Sequence, residues 1–475
     1  MTGVAAKPRI HASEEPGSAM EAILTPAASG ADYAIGRPSD AARITPAQII
    51  TCCVGTFVPS LLLFLWGIDR YRELIFDETW YVPAARKLLE TGEMLHQEHP
   101  PLGKLLIAGG MAIFGDNPFG WRVGAAIFGS LTLVAVFLWG IALFRNVPAA
   151  LWVVAITLLD QVVYVQARVA MLDIFLIAFC TLALALFTFS YSERRRAASF
   201  GYALAMGASL GLAAACKWSG FFLLFGIGSA YLLLQILRGW GATFGEPRKT
   251  DFYSANSWTR MPLRQALAAL VAAPLAAYFA TYVPQMVHAG SLGEFIASHQ
   301  RMYEIMSGNP GTHPYSSVWW QWPLELRPVW QLFHIDGDVA SWSADNPAQA
   351  IVALANPFVL AIGEIAMGIV ALRWLRRRDS DAMIIAIGFF AQWLPWLVNP
   401  KGLEFFYYYF PSVVCLGPAI GAVVFRGSEC RPGLAAYVIL AAAGATFIFF
   451  LPVLSAQFGV SPEAYSARIW LPTWR

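Results

Sequence analysis

Long apolar runs alternate with short polar stretches along most of this chain. A helix needs about 20 predominantly apolar residues to cross a bilayer. The first uninterrupted run is Ile49 to Ile68, with no charge in it. Others follow at about 123–143, 147–166, 172–191, 200–216, 219–237, 265–285, 349–372, 382–398, 406–425 and 432–453. The pattern predicts about eleven transmembrane helices, with those at 200–216 and 382–398 on the short side. The expected fold is an all-α, polytopic membrane bundle forming one domain over 46–455. Residues 1–45, rich in Ala, Ser, Pro and Gly, are read as a flexible cytoplasmic tail, and 456–475 as a tail on the outer side.

The polar stretches orient the bundle. With the N-terminus inside, the inner connections carry Arg145, Arg194 to Arg196, Arg238, Arg248, Lys249, Arg260, Arg264, Arg373, Arg376 to Arg378, Arg426 and Arg431. Nearly every one is a basic knot with few acids, as cytoplasmic loops are. The outer segments mix signs, and two are long, at about 69–122 and 286–348. An odd number of crossings puts the C-terminus outside.

Composition narrows the function classes. Hydrophobic residues make up 57% of the chain and charged residues 13%, half the charge of a typical soluble domain. A soluble enzyme is thereby excluded. A net charge of +2 argues against a nucleic-acid partner. Six cysteines occur without zinc-ligand or CxxC spacing.

Chemistry concentrates in the first outer loop. Asp77 and Glu78 follow the first span closely. A short amphipathic helix comes next, with Trp80, Tyr81, Ala84, Leu88 and Leu89 on one face, suited to the membrane surface. Acidic residues also favour helix N-termini, so spacing alone leaves capping and catalysis open for this pair. Glu98, His99, Pro100, Pro101, Gly103 and Lys104 follow. The Pro-Pro pair predicts a second short helix, Leu102 to Phe114, too short to span.

These residues resemble a family. Phe76-Asp77-Glu78 and His99-Pro100-Pro101-Leu102-Gly103-Lys104 look like the protein O-mannosyltransferases. So do Ala167-Arg168 to Leu172-Asp173, Cys216-Lys217-Trp218-Ser219-Gly220, His313 to Pro323 with its Trp319, Trp320 and Trp322, and Phe405 to Pro411. The matches keep the family's order from about 70 to 415. Tyr408 stands where the family often has histidine. The large outer domain of eukaryotic members is absent, as in the bacterial branch.

The resemblance implies a GT-C-type inverting glycosyltransferase of the cell membrane. It would move a hexose, normally mannose, from a polyprenyl-phosphate carrier to Ser or Thr hydroxyls of exported proteins, on the outer face. Such a hydroxyl needs a general base, and by resemblance Asp77 is that base, with Glu78 orienting acceptor or loop. The departing phosphate needs fixed cations. Arg122, Arg168 and Lys217 lie at the outer ends of spans, with Lys401 a further candidate, and charges so near hydrocarbon are usually functional. Arg168 is alternatively a structural partner of Asp173. His99, His313, Trp320, Trp322 and Tyr408 are expected to shape the acceptor or sugar groove, although Trp and Tyr favour the interface in any case.

No cofactor or metal is expected. His334, Asp336 and Asp338 form an HxDxD stretch that reads best as a solvated turn. An oligomer or translocon association is left open. Two rival readings remain: the same donor chemistry with a lipid or envelope-glycan acceptor, and a transporter or flippase using Asp160, Gln161 and Glu364 as its mid-span polar groups.

Overall fold

A computed structural model describes residues 44–244, 258, 260–308, 311–398, 403–425 and 432–475. The tail up to residue 43 and Lys401 lie outside them. Among the described residues, ten helices are long and apolar enough to cross a membrane, and the protein is a multi-pass membrane bundle.

Local chemistry starts the spans. Asn117, Asn146 and Asn356 each accept a backbone N–H of the following turn, and a proline sits within that turn. The amide side chain satisfies an orphan donor, and proline's fixed φ suits the first turn. Three spans form the centre. In Pro118–Phe144, Asp173–Ser192 and Phe406–Val424, 72%, 78% and 83% of the apolar window is buried. Pro46–Leu65 and Leu434–Val453 are peripheral, at 17% each. The first of these turns an exposed stripe of Ile50, Val54, Val58 and Leu62 outward, the i, i+4 face that lipid would cover. Gly207 and Gly211 of Arg196–Cys216 let Leu263–Ala280 approach. A Cβ at either would meet the Ala269 or Pro274 carbonyl at 1.8 or 2.2 Å, the close contact that small residues permit between membrane helices.

The run expected at 147–166 departs from a single helix. Val147–Leu159 ends at Asp160, Gln161 turns back with φ +70°, and a short helix Val162–Gln166 follows. Counting this broken segment reconciles the ten long helices with the eleven expected. Asn356 pins the break. Its N–H donates to the Asp160 carbonyl at 2.7 Å, and its side-chain NH2 to the carbonyls of Leu159 and Ala443 at 2.8 and 3.0 Å. Its side-chain oxygen caps Pro357–Arg377 through Phe358 and Val359. Asn356→Leu loses that cap and orphans two buried carbonyls. It is expected to cost about 2–4 kcal/mol, measurable as earlier thermal unfolding in detergent.

The two long connections meet at one end of the bundle. The first holds the surface helix Glu78–Thr91 and the expected second helix, Leu102–Phe114. The surface helix is rotated from the predicted face: Glu78, Tyr81, Val82, Ala84 and Ala85 are buried, while Leu89 is exposed and Trp80, also exposed, stacks on His96. The second connection holds Gly293–Ser307, a 3-10 turn Trp319–Leu324, and an antiparallel hairpin, β1 Val329–His334 with β2 Gln349–Ala353. That hairpin is the strand content among the described residues, an addition to the all-α bundle. Residues 454–474 are docked on it. Val460 and Leu454 bridge Ala348 and Ile351, and Trp330 donates to the Trp474 carbonyl at 2.7 Å. The C-terminal segment thus lies at the same end as both long connections.

Candidate active site

Asp77 opens the surface helix without capping it. It has helical dihedrals and makes no side-chain cap hydrogen bond. Its carboxylate is half-buried, with the Tyr81 hydroxyl 3.5 Å away. Burial, then the negative charges of Asp77 and Asp173, push the Tyr81 phenol well above its ordinary range. These groups therefore share one electrostatic site.

Glu78 has a different task. It is fully buried, and both its oxygens are saturated. Arg122 grips them as a fork at 2.8 Å each, and the amides of Ile75 and Ala170 donate at 2.9 and 2.8 Å. Arg122 is equally committed. Its remaining N–H groups go to the carbonyls of Ile68, Tyr71 and Glu73, which accounts for all five guanidinium donors. The phosphate role expected of Arg122 gives way to this structural one, and the acceptor role of Glu78 to orienting the loop. Arg168 is also drawn elsewhere. It donates to the carbonyls of Phe64 and Trp66 at 2.7 and 2.9 Å, closing the C-terminal end of the first span, where carbonyls lack helical partners. Its pairing with Asp173 does not occur.

Asp173 instead pairs with Lys217. The ammonium donates to both carboxylate oxygens, at 2.9 and 2.8 Å. It lies 5.3 and 5.4 Å from the ring centres of Tyr407 and Tyr408. This pair sits in a pocket lined also by His99, Trp218, Trp396 and Tyr408. Trp396 and Tyr408 stack at 4.8 Å. Lys104 is buried and ties the pocket's His99 segment, donating to the His96 and His99 carbonyls at 2.7 and 2.9 Å. Burial lowers its ammonium to about 7.

The aromatic loop divides. His313 packs edge-on against Phe76, beside Asp77, and against Phe405; desolvation lowers its imidazole below the usual range. Trp322 is buried, donating to the Ser317 hydroxyl and packing on Trp396 and Tyr408. Trp320 is 52% exposed and stays outside the site. The structure therefore brings together Asp77, His99, Lys217, Tyr408 and, beside them, His313. Sequence reasoning missed Tyr81, Trp396 and the true partner of Lys217. Opposite charges facing each other at the same end of consecutive spans were the available signal for that pair.

Among the described residues, no three His, Cys, Asp or Glu side chains gather as metal ligands. His334 contacts Asp336 at 3.2 Å, while Asp338 caps a turn through Ser341. The mid-span polar groups have local partners: Asp160 holds Asn356, Gln161 the Ala355 carbonyl, and Glu364 the Tyr409 hydroxyl.

Comparison with known proteins bears on the family and the fold. Residues 113–289 match the family described as dolichyl-phosphate-mannose-protein mannosyltransferase. Residues 291–474 match the C-terminal four-transmembrane region of protein-O-mannosyltransferase. The polyprenol-phosphate-mannose–protein mannosyltransferase of Mycobacterium tuberculosis is 28% identical, over 89% of this chain and 92% of its own. That of Corynebacterium glutamicum is 25% identical, over 84% and 88%. The fold is similar to the S. cerevisiae protein O-mannosyltransferase complex bound to the sugar donor, with TM-score 0.71, 14% identity, and coverage of 91% and 93%. It is also similar to ArnT from Cupriavidus metallidurans bound to undecaprenyl phosphate, with TM-score 0.57 and 17% identity, over 86% of this chain and 66% of that one. Two adjoining matches in family order, on a bundle of this fold, mean that the chain belongs to the protein O-mannosyltransferase family, a family of membrane glycosyltransferases.

Proposed function

We propose that this protein transfers mannose from a polyprenyl-phosphate carrier to Ser or Thr hydroxyls of exported proteins, on the outer face of the cell membrane. The observation that carries the reading is the position of Asp77: a carboxylate at the loop end of the bundle, not engaged in capping, beside a pocket that holds a buried ammonium. The names of the mycobacterial and corynebacterial relatives support the donor and the acceptor class. The basic connections at the opposite end support an outer location for the site, with the N-terminus cytoplasmic.

The chemistry follows from the side chains. The carrier's phosphate leaves as an anion, and Lys217 is the cation in the pocket to receive it. Lys217 has a third N–H beyond the two given to Asp173. Asp77 takes the proton of the attacking hydroxyl as the new bond forms. Asp173 and Glu78 are bound to Lys217 and Arg122, so neither is placed to act as a nucleophile. The reaction is then a single displacement with inversion at the anomeric carbon. No metal is required by this scheme.

The test is mannose transfer by the purified protein in detergent, from polyprenyl-phosphate-mannose to a Ser/Thr-rich peptide, followed by mass. A peptide left unmodified while the donor binds would move the acceptor to a lipid or glycan. A protein that binds no donor would bring the transporter reading forward. Lys217→Gln is expected to weaken polyprenyl-phosphate binding by about tenfold or more, the scale of one charge-assisted hydrogen bond. Unchanged binding would remove Lys217 from the phosphate role.

A further inference from the structure

The residue before the base is built unusually. Phe76 has φ +48°, in the left-handed region that bulky side chains rarely adopt. Such a conformation costs free energy and persists only where its surroundings enforce it. Its effect on the helix start can be traced bond by bond. The amides of Glu78, Thr79 and Trp80 donate to the carbonyls of Ile75, Phe76 and Asp77, at 2.9, 3.1 and 2.9 Å. These first amides of a helix normally look to a capping side chain, and aspartate is among the strongest caps. Here the backbone satisfies them, and the Asp77 carboxylate makes no cap bond.

The ring of Phe76 supplies the enforcement. It meets His313, Phe405 and Tyr407 edge-on, at 6.1, 6.3 and 6.1 Å between centres. Phe405 and Tyr407 stack at 5.3 Å, and the Lys217 ammonium lies over Tyr407. One ring thus ties the base-bearing turn to the segment around His313 and to the edge of the donor pocket.

We propose that Phe76 is a positioning residue for the transfer reaction. Its left-handed backbone keeps Asp77 from capping the helix, and its ring locks that turn against His313 and Tyr407. The inference rests on the proposed function. It names no new contact with substrate; Phe76 acts through Asp77.

The experiment compares wild type, Phe76→Gly, Phe76→Tyr and His313→Leu. Glycine accepts the left-handed backbone without strain but lacks the ring. Release of polyprenyl phosphate is followed with the Ser/Thr peptide, or with membrane-lipid acceptor if wild type does not use the peptide. Failure of the acceptor assignment is then distinct from failure of this inference. Phe76→Gly is expected to lower kcat by about 10- to 100-fold, the scale of a misplaced reacting group. Its KM for donor should stay within about twofold, since the donor pocket is intact. Phe76→Tyr, which restores the ring, should recover most of the rate, and His313→Leu should lower kcat in the same direction by less. If Phe76→Gly does not fold, His313→Leu and Phe76→Tyr decide. Loss of donor binding together with kcat, or kcat unchanged in the ring-deleting variants, would overturn the proposal.

Discussion

Asp77→Asn is expected to lower mannose transfer by about 10²–10⁴-fold, the usual contribution of a positioned base. The substitution keeps the size and removes the proton acceptor. Because Asp77 makes no cap bond, the helix start should not suffer, and thermal unfolding in detergent should stay near that of wild type. Donor binding should also persist, because the cation of the pocket is Lys217, paired with Asp173. The expected signature is therefore loss of kcat with carrier affinity retained. A variant that keeps more than about a tenth of the wild-type rate would rule Asp77 out as the base. Loss of rate together with folding would instead make Asp77 a structural residue.

Arg122→Ala should act on folding rather than on chemistry. Arg122 and Glu78 are 1% and 0% exposed. Removing one partner leaves a buried charge without compensation, at about 3–5 kcal/mol. Often a buried pair can be replaced by apolar residues at little cost. Here that route is closed, because the pair also satisfies the carbonyls of Ile68, Tyr71 and Glu73 and the amides of Ile75 and Ala170. A Glu78→Leu, Arg122→Met double variant orphans all of them and is expected to be no better folded than Arg122→Ala. Size-exclusion profile and thermal unfolding in detergent report this. A well-folded double variant would show that the pair is dispensable to the turn. Arg122→Lys should fall between, since an ammonium has three donors where the guanidinium has five.

Much of the bundle is legible in the sequence, because hydropathy and span length constrain each other tightly. The helix Leu102–Phe114 is readable to the residue, from the Pro-Pro pair before it and Gly115 after it. The placement of Asp77 and Lys217 at the loop end of the bundle is readable as well, through motif and location. The roles of Arg122 and Arg168 are not. An arginine near hydrocarbon signals a function, but what occupies these two is a set of backbone carbonyls at the end of the first span and in the turn beyond it. Carbonyls belong to every residue and leave no mark on the sequence. Trp320 and Trp322 diverge for a related reason. They lie on a 3-10 turn, whose threefold period sends residues two apart to different faces. The hairpin is hidden because β1, Val-Trp-Gln-Leu-Phe-His, is buried along most of its length and shows little of the alternation that marks a half-exposed strand.

The interruption at Asp160 and Gln161 bears on how the chain enters the membrane. Val147–Leu159, at 13 residues, reaches only about 20 Å along its axis, against a hydrocarbon thickness of about 30 Å. By itself it is a poor substrate for the insertion machinery. The segment before it, Pro118–Phe144, and the one after it, Asp173–Ser192, are both long and strongly apolar. They are expected to carry it across as a group, with the polar break sheltered once Asn356 arrives some two hundred residues later in synthesis. Until then the nascent chain holds an unsealed joint. Substitutions around Asn356 should therefore show themselves during biogenesis, as chains with span three left out and every later loop on the wrong side, before any loss of stability in the finished protein becomes measurable.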